Sequence, residues 1–460
     1  MNVTVYGLWH LGCVTAACVA SRAEHRVVGL DVDDALIANL KKGEPPLEEP
    51  GLPALIRAGL DGGRLSFTTS AKDALADADV LWVTFDTPVN ERDEADVAFV
   101  RERLERIATD LPRAAHAKTD SVPVFDRAKT GTESVFGGDA RGRAAPHVLI
   151  SAQVPVGFTR SLERDWAGRG LHFAYSPENL RLGNAIEAFT RADRAVVGAS
   201  AGADRELLGS LFAPFAGRIE WMSIESAEMT KHAINAFLAT SVTFINEVAR
   251  LCEVTGADAK EVARGLKSEG RIGPRAYLNP GAAFAGGTLA RDLRFLSAFG
   301  REKGVATPLM QGAIDSNATH TNWLRSKVVE SLADVAEPVV ALLGLTYKPN
   351  TSTLRRSSAV ELGTWLRDER GVRVRAYDPA ISQLPSELAG KMDVCTDAAA
   401  CLAGADLAVV ATEWQQFRSL DASAFASAMR RPAVIDPNWF LAAALAGDSR
   451  ITYIATGRSV

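Results

Sequence analysis

The chain has 460 residues, a formal net charge of -5 and an apolar fraction of 47%. These values are ordinary for a protein with two or three domains that each bury a core. The negative charge argues against nucleic acid or an anionic membrane as the main partner, and no apolar run is long enough to cross a bilayer. The first residues enter a strand pattern without the layout of a signal peptide, so we expect a cytoplasmic protein.

The first part of the chain alternates short apolar strands with helical patterns. The strand "NVTVYG" leads into "HLGCVTAACVASRA" and then "RVVGLDVD", and "DVLWVTFDTP", "HVLISAQVPVG" and "RAVVGAS" follow. This alternation predicts βαβ units and a parallel sheet with helices on both faces. A polar insertion at about residues 111–146 interrupts the pattern. We interpret it as a disordered excursion, with a functional lid as the alternative.

A long helix is predicted for residues 225–256, because this stretch contains no proline and ends in a glycine that suits a C-terminal cap. It should be some 45 Å long, at about 1.5 Å per residue. Strand patterns then return in "EPVVALLGLTYKP", "GVRVRAYDPA", "MDVCT", "DLAVVATEW", "PAVIDPN" and "ITYIATG". We therefore predict an α/β protein with two Rossmann-like, doubly wound parallel-sheet domains joined by a long central helix.

The predicted domain bounds follow from these patterns. A first α/β domain should occupy residues 1–200, a helical central domain residues 201–322, and a second α/β domain residues 323–460. The apolar content of the long helix also predicts a subunit contact, and hence a homodimer through this helix.

A dinucleotide signal lies in "VYGLWHLGCVTAA", between the first strand and the first helix. Gly7 and Gly12 supply the first and third glycines of the G-x-G-x-x-G pattern, and Trp9 replaces the second. The indole must therefore point away from the phosphates or crowd them. Asp31 ends the next strand, where an acid bonds the ribose hydroxyls and favours NAD over NADP. A Rossmann-type domain that has lost its ligand remains the alternative.

The cysteines give no sign of a metal site. Their spacing fits neither a zinc site nor a redox motif, and we interpret them as small buried hydrophobes. They are Cys13, Cys18, Cys252, Cys395 and Cys401.

Several collinear motifs carry a resemblance to a known family. They are "PPLEEPGL", "DTP", "QVPVGF", "SPENLRLGNAIEAF", "SAEMTKHAINAFLA", "RIGPRAYLNPG", "GLTYKPNTSTLR" and "ATEWQQF". The sequence resembles the UDP-glucose 6-dehydrogenase / GDP-mannose dehydrogenase family of nucleotide-sugar dehydrogenases over nearly its whole length, apart from the insertion. The resemblance implies two successive NAD-dependent oxidations of a sugar alcohol, through a cysteine-bound thiohemiacetal and thioester, to a uronate. It also implies that the domain at residues 1–200 binds NAD and that the domain at residues 323–460 binds the nucleotide sugar. A UDP-sugar is favoured as substrate, and GDP stays open.

The resemblance also implies roles for individual residues. Lys231 and Asn235, four apart on the long helix, should stabilise negative charge on a sugar oxygen, Glu178 should help to activate water, and Asp292 corresponds to an active-site aspartate. The residues expected at the substrate are Arg271, Tyr277, Phe284, Gly286, Lys348 and Arg355. Those expected at NAD are Gly7, Trp9, His10, Leu11, Gly12, Asp31, Thr87 and Gln153.

The chain departs from the family pattern close to the chemistry. Thr288 occupies the position of the nucleophilic cysteine, and Gln153 that of a threonine that positions water; Asn179, Leu182, Ser352 and Thr353 are further departures. A thiol has a pKa of about 8.5, whereas an aliphatic hydroxyl ionises far less readily and attacks only beside a general base. The loss of the thiol should therefore impair the second oxidation more than the first, which needs no cysteine.

Three interpretations stay open at this stage. The first is an enzyme that stops at a partly oxidised sugar or oxidises a hydrated aldehyde directly. The second is a uronate-forming dehydrogenase that works with threonine. The third is a non-catalytic protein that binds the nucleotide sugar or NAD. The intact Lys231, Asn235 and Glu178 argue against it, and Trp9, Gln153 and Thr288 argue for it.

Overall fold

The computed structural model of the chain describes residues 1–88, 96–111, 145–178, 180, 183–199, 202–285 and 287–458. The chain divides into two compact units, with the boundary between Lys231 and His232. Most of the predicted insertion at 111–146 lies outside the described residues, and the three-part domain division stays a prediction. Within the described ranges, no helix combines the length and the apolar run that a bilayer crossing requires.

The first unit alternates strands and helices as the sequence predicts. Its strands are β1 (Asn2–Tyr6), β2 (Arg26–Leu30), β3 (Leu65–Thr68), β4 (Val80–Val83), β5 (His147–Ile150), β6 (His172–Tyr175), β7 (Ala195–Ala199) and β8 (Ile219–Met222). Its helices are α1 (His10–Ala20), α2 (Asp34–Leu40), α3 (Leu52–Asp61), α4 (Ala71–Leu75), α5 (Val97–Ile107), α6 (Phe158–Asp165), α7 (Ala185–Thr190), α8 (Gly202–Phe212) and the first part of α9 (Ile224–Thr255).

The first sheet has the strand order β3-β2-β1-β4-β5-β6-β7-β8. Its first six strands follow the order 3-2-1-4-5-6 of a doubly wound dinucleotide-binding fold, and their pairs are parallel. All four residues of β4 are buried, as a strand covered by helices on both faces requires.

One strand of this sheet differs from the prediction. The stretch "RAVVGAS", predicted as part of a parallel sheet, forms β7, which pairs with β6 in the antiparallel direction. Among the described residues between β6 and β7, α7 is the only helix, and its six residues rise about 9 Å, too little to carry the chain back along the sheet. The chain therefore enters β7 from the edge at which it left β6, and β8 is again parallel to β7.

The second unit contains the rest of α9 and the second sheet. Its other helices are α10 (Ala259–Ser268), α11 (Thr288–Glu302), α12 (Pro308–Ser331), α13 (Ser358–Arg370), α14 (Ala398–Leu402), α15 (Ala422–Ala428) and α16 (Ala442–Leu445). Its strands are β9 (Val339–Leu343), β10 (Arg373–Tyr377), β11 (Asp393–Val394), β12 (Leu407–Val410), β13 (Ala433–Ile435) and β14 (Thr452–Ile454). Short 3-10 helices cover Ser386–Leu388 and Gln415–Ser419.

The second sheet repeats the doubly wound arrangement. Its order is β11-β10-β9-β12-β13-β14, and the neighbouring strands are parallel. The six strand patterns predicted near the end of the chain therefore form one sheet, and the predicted fold of two parallel-sheet α/β domains is confirmed.

The long helix predicted for residues 225–256 is α9, which runs from Ile224 to Thr255 over 32 residues. Gly256 follows with a φ of 78°, the left-handed conformation in which helices often end. The helix continues from the first unit into the second, because the boundary falls after Lys231.

Candidate active site

The predicted dinucleotide turn joins β1 to α1 through glycines that cannot be replaced without strain. Gly7 has a φ of 99°, and its backbone N–H donates to the carbonyl oxygen of Leu30 at 3.0 Å. A Cβ atom on Gly12 would lie 1.8 Å from the carbonyl oxygen of Gly7. The first turn of α1 thus lies directly against the end of β1, the close approach that a dinucleotide-binding fold requires of its glycines.

Trp9 does not fill the interior of this turn. It is the N-cap residue of α1 with an extended backbone, and 48% of its surface is exposed. Leu11, by contrast, is buried. The bulk that replaces the middle glycine therefore lies at the solvent side of the turn.

His10 links the turn to a more distant segment. Its Nε2 lies 2.8 Å from Oε2 of Glu49, and the buried carboxylate of Glu49 also accepts from the backbone N–H groups of Gly183 and Ala185, each at 2.8 Å. Glu49 belongs to the motif "PPLEEPGL" but was not predicted as a site residue, because Gly183 and Ala185 lie in a distant part of the chain.

The other predicted NAD residues follow the carboxyl ends of strands, where ligands of doubly wound sheets bind. The Asp31 carboxylate accepts from the backbone N–H of Leu8 and of Val32, each at 2.7 Å. Thr87 follows β4, and its Oγ1 donates to the carbonyl oxygen of Gln153 at 2.8 Å. These bonds hold Asp31 at the glycine turn and tie together the segments after β4 and β5.

Lys231 and Glu178 are in direct contact. The Nζ of Lys231 donates to the backbone carbonyl of Glu178, and the Glu178 carboxylate accepts from the N–H of Leu180. Lys231 is buried, so its ammonium is held in place rather than free in solvent. Glu178 also lines a cavity of about 90 Å³. Two family departures nearby, Asn179 and Leu182, lie outside the described residues.

A buried carboxylate one turn before Lys231 was missed by the sequence analysis. Glu228 is fully buried and accepts from the N–H groups of Gly157 at 2.6 Å and Thr159 at 2.9 Å, at the start of α6. Burial raises the pKa of Glu228, against the effect of these hydrogen bonds. The sequence shows an acidic residue in "SAEMTK", but it does not show that this residue contacts the start of α6.

In the second unit, Asn235 and Asp292 form a buried cluster with a third residue, His232. Asp292 has 0% exposure; its Oδ2 accepts from Nδ2 of Asn235, and its Oδ1 lies 2.9 Å from Nδ1 of His232. The His232 ring stacks on Phe295 at a centroid distance of 4.1 Å. His232 was not predicted as a site residue. Its partners Asp292 and Phe295 lie on α11, so its position next to Lys231 in the sequence does not indicate a role.

Thr288 is the first residue of α11, after the N-cap residue Gly287, and it is exposed. Asp292 follows four residues later, so the two lie on one side of the helix. The hydroxyl of Thr288 is thus presented at a helix N-terminus, one turn from the buried Asp292 cluster.

The loop before Thr288 is fixed by amide side chains. The N–H of Gly281 donates to Oδ1 of Asn246 at 3.0 Å, and the N–H of Ala282 donates to Oδ1 of Asn438 at 2.7 Å. The Oδ1 of Asn317 accepts from the N–H of Phe284 at 3.0 Å, and its Nδ2 donates to the carbonyl oxygen of Phe284 at 2.9 Å.

Phe284 lines a cavity of about 270 Å³. The neighbouring predicted residue Gly286 lies outside the described residues.

The remaining predicted substrate residues are more exposed. Arg271 pairs with Glu269 at 2.9 Å on the surface, and Tyr277 and Arg355 are exposed, whereas Lys348 is half-buried. The structure therefore brings Lys231 to Glu178, Asn235 to Asp292 and Thr87 to Gln153, but it does not gather Arg271 into a buried cluster. In the parts of the chain that the structure describes, no group of three or more His, Cys, Asp or Glu side chains could hold a metal ion.

Comparisons with known proteins cover most of the chain. Domain models of the UDP-glucose/GDP-mannose dehydrogenase family match it: the NAD binding domain at residues 1–122, the central domain at 225–319 and the UDP binding domain at 341–442. The chain is 32% identical to a UDP-glucose 6-dehydrogenase of Pseudomonas aeruginosa, over 100% of this chain and 98% of the relative. It is 34% identical to one of Rhizobium meliloti, over 95% and 94%.

A solved structure agrees with these matches. The UDP-glucose dehydrogenase of Pyrobaculum islandicum is 28% identical to this chain and superimposes with a TM-score of 0.82, over 100% of this chain and 98% of that one.

Proposed function

Since this chain belongs to the UDP-glucose/GDP-mannose dehydrogenase family of NAD-dependent nucleotide-sugar dehydrogenases, we propose that it oxidises a UDP-sugar of the glucose type. The match of residues 341–442 to a UDP binding domain supports uridine as the base. The names of the relatives from Pseudomonas aeruginosa and Rhizobium meliloti support glucose as the sugar.

The residues of the glycine turn fit the NAD coenzyme. The contact between Gly12 and Gly7 leaves no room for a Cβ, as expected where a helix N-terminus is brought up to a pyrophosphate. Asp31 is oriented by backbone donors at the end of β2, where it would bond the adenosine ribose. When bound, NAD accepts a hydride from the sugar.

The single observation that carries the proposal is the positioning of two donors one turn apart on α9. Lys231 is buried and anchored by the Glu178 carbonyl, and Asn235 is anchored by Asp292. An ammonium and an amide that are fixed before the substrate arrives can stabilise negative charge as it develops on the sugar oxygen, at little reorganisation cost. We assign them that role, and to Glu178 the orientation of water.

Thr288 bears on the product. Its exposed hydroxyl at the start of α11 is a poor nucleophile without a general base. We therefore propose that no covalent sugar–enzyme intermediate forms. The product is then a partly oxidised sugar, or a uronate reached slowly through the hydrated aldehyde.

A second candidate function is a non-catalytic protein that binds NAD or a nucleotide sugar. The observation that favours it is Trp9, which puts an indole at the solvent side of the turn where the family carries glycine. The anchored Lys231 and Asn235 favour the enzyme, because a binding protein has no need to hold donors against a reacting oxygen.

We also propose a homodimer formed through α9, in a cytoplasmic protein. Phe237, Phe244 and Leu251 are large apolar residues that recur every seven positions on α9 and are 70%, 49% and 64% exposed. Two helices that each carry such a stripe can bury it against one another. All five cysteines are free, which suits a reducing compartment.

The test is a panel of UDP-, GDP- and TDP-sugars assayed for NADH formation, with each product identified by mass. We expect NADH with a UDP-sugar of the glucose type and about one NADH per sugar consumed. Calorimetry with NAD separates the two candidate functions, because no binding up to millimolar NAD would contradict the dehydrogenase.

A further inference from the structure

Asp292 is shared between two side chains of α9. It is fully buried on α11, its Oδ2 accepts from Asn235 Nδ2, and its Oδ1 lies 2.9 Å from His232 Nδ1. His232 and Asn235 are three residues apart on α9, so they project from one side of the helix. One carboxylate thus fixes two neighbouring side chains of the helix that also carries Lys231.

The contact determines which end of the Asn235 amide faces the carboxylate. An ionised carboxylate only accepts hydrogen bonds, so the NH2 end of the amide must face Asp292. The second N–H of that group then has a defined direction. If the amide turned by 180°, its carbonyl oxygen would take the place of an N–H and would repel a developing negative charge instead of stabilising it.

His232 supplies the other half of this arrangement. Its Nδ1 faces Asp292, and a carboxylate partner requires that this nitrogen carry the hydrogen. The ring stacks on Phe295 at 4.1 Å, and Phe295 in turn stacks on Phe299 at 5.7 Å. Both phenylalanines belong to α11. The helix that carries Asp292 therefore also packs against the His232 ring, which is hydrogen-bonded to Asp292.

We propose that His232 is a positioning residue of this enzyme: through Asp292 it sets the orientation of the Asn235 amide and so directs an N–H of Asn235 at the sugar oxygen. The inference rests on the proposed function, because it presupposes that Asn235 stabilises that oxygen. It assigns His232 no contact with the substrate.

The experiment compares His232→Phe with His232→Asn in the full chain. Phenylalanine keeps an aromatic ring against Phe295 but removes the donor, whereas asparagine places an amide N–H near the position of Nδ1. We expect kcat for NADH formation to fall by at least about tenfold in His232→Phe, since misplaced donors cost up to about a hundredfold. The KM for the UDP-sugar should stay within about twofold, and His232→Asn should recover most of kcat.

A matched control separates positioning from packing. Phe295→Leu loosens the stacking and leaves the hydrogen bond, so it should lower the melting temperature as much as His232→Phe while retaining more of kcat. The proposal is overturned if His232→Phe keeps its kcat, or if kcat in all three variants merely follows the melting temperature.

Crystal structures of the wild type and of His232→Phe test the inference apart from the proposed function. If no sugar yields NADH, the proposed function fails, but the structures still show whether His232 orients Asp292 and Asn235. We expect the Asp292 carboxylate to rotate in the variant and the Asn235 amide to follow it. An unchanged Asn235–Asp292 pair would refute the inference even for an active enzyme.

Discussion

Position 288 carries a hydroxyl where the resemblance calls for a thiol, and α11 presents it to solvent at its first turn. A helix N-terminus favours a negatively charged group by up to about 1 kcal/mol when it is exposed. That is far too little to ionise an aliphatic hydroxyl at neutral pH, but it helps to ionise a thiol whose pKa is about 8.5. The helix N-terminus would thus assist a thiolate at position 288, whereas it cannot turn the Thr288 hydroxyl into a nucleophile.

Thr288→Cys should therefore restore the missing step. We expect NADH formed per UDP-sugar to rise from about one towards two, with a uronate as product, because the thiol can trap the aldehyde. Thr288→Ser is the matched control: it keeps a hydroxyl and should leave the ratio near one. Product analysis by mass, together with the NADH yield, gives the answer. A wild type that forms two NADH per sugar without a slow second phase would contradict our account of Thr288.

Individual residues were predictable to the extent that their roles are local. Gly7, Gly12 and Asp31 follow from the spacing of strand, turn and helix. The structure places Gly7 and Asp31 directly after β1 and β2, and Gly12 in the first turn of α1. His232 and Glu228 were not predictable, because their partners Asp292 and the start of α6 are 60 and 69–71 residues away. No sequence pattern specifies which distant helix will offer these side chains a carboxylate or an unpaired backbone N–H of its first turn.

At the scale of elements, α12 supports the loop before Thr288 through a buried histidine. His320 Nε2 lies 2.8 Å from the Gly281 carbonyl oxygen, and its Nδ1 lies 3.1 Å from the guanidinium of Arg250. Arg250 can only donate, so Nδ1 accepts and the hydrogen of neutral His320 is on Nε2. Burial, with a smaller contribution from Arg250, lowers the pKa of His320 below 6.5, and Glu253 and the Gly281 carbonyl oppose this.

This arrangement predicts a loss of stability in mild acid. Because the folded state lowers the pKa of His320, the neutral form is favoured by folding; its contribution is complete above pH 6.5 and declines as the pH falls below that value. His320→Gln keeps a donor for Gly281 but cannot titrate. We expect the melting temperature to drop less between pH 7 and pH 5.5 in His320→Gln than in the wild type.

The comparison has an internal control. Burial also lowers the pKa of His25 in the first unit, but His25 is present in both proteins and contributes equally to each. If the two melting curves shift by the same amount with pH, His320 is not the group responsible.

At the scale of the whole molecule, the apolar stripe on α9 determines the assembly we propose. Residues seven apart lie two turns apart on nearly the same side of a helix, so Phe237, Phe244 and Leu251 form one exposed line. A monomer would leave these three side chains in water, and burying each is worth about 1.5–3 kcal/mol.

Phe244→Glu should convert the dimer into monomers, since a carboxylate cannot be buried in an apolar helix contact without a partner. Arg264→Glu, at an exposed position of α10, adds a carboxylate away from the stripe and should leave the dimer intact. Light scattering after size-exclusion chromatography distinguishes the two masses. A wild type that elutes as a monomer would refute the dimer, whatever the variants do.

The architecture was more predictable than the site. The strand patterns predicted β1, β2, β4, β5 and β7 of the first sheet and all six strands of the second, and the glycine after Thr255 predicted the end of α9. Repeated βαβ units leave few topologies open, but β3, β6 and β8 were not among the predicted strands. The reversal of β7 was not predictable, since the pattern of a buried strand is much the same in either direction and the direction depends on the path of the connection through α7.

The four-residue step from Lys231 to Asn235 has an evolutionary consequence. Inside an uninterrupted helix, a single inserted residue would turn everything beyond it by about 100° and carry it about 1.5 Å along the axis. The Asn235 amide would then point to a different side of the helix from the Lys231 ammonium. Descendants of this gene can exchange side chains in that turn, but they cannot change its length and keep the arrangement of the two donors that we propose.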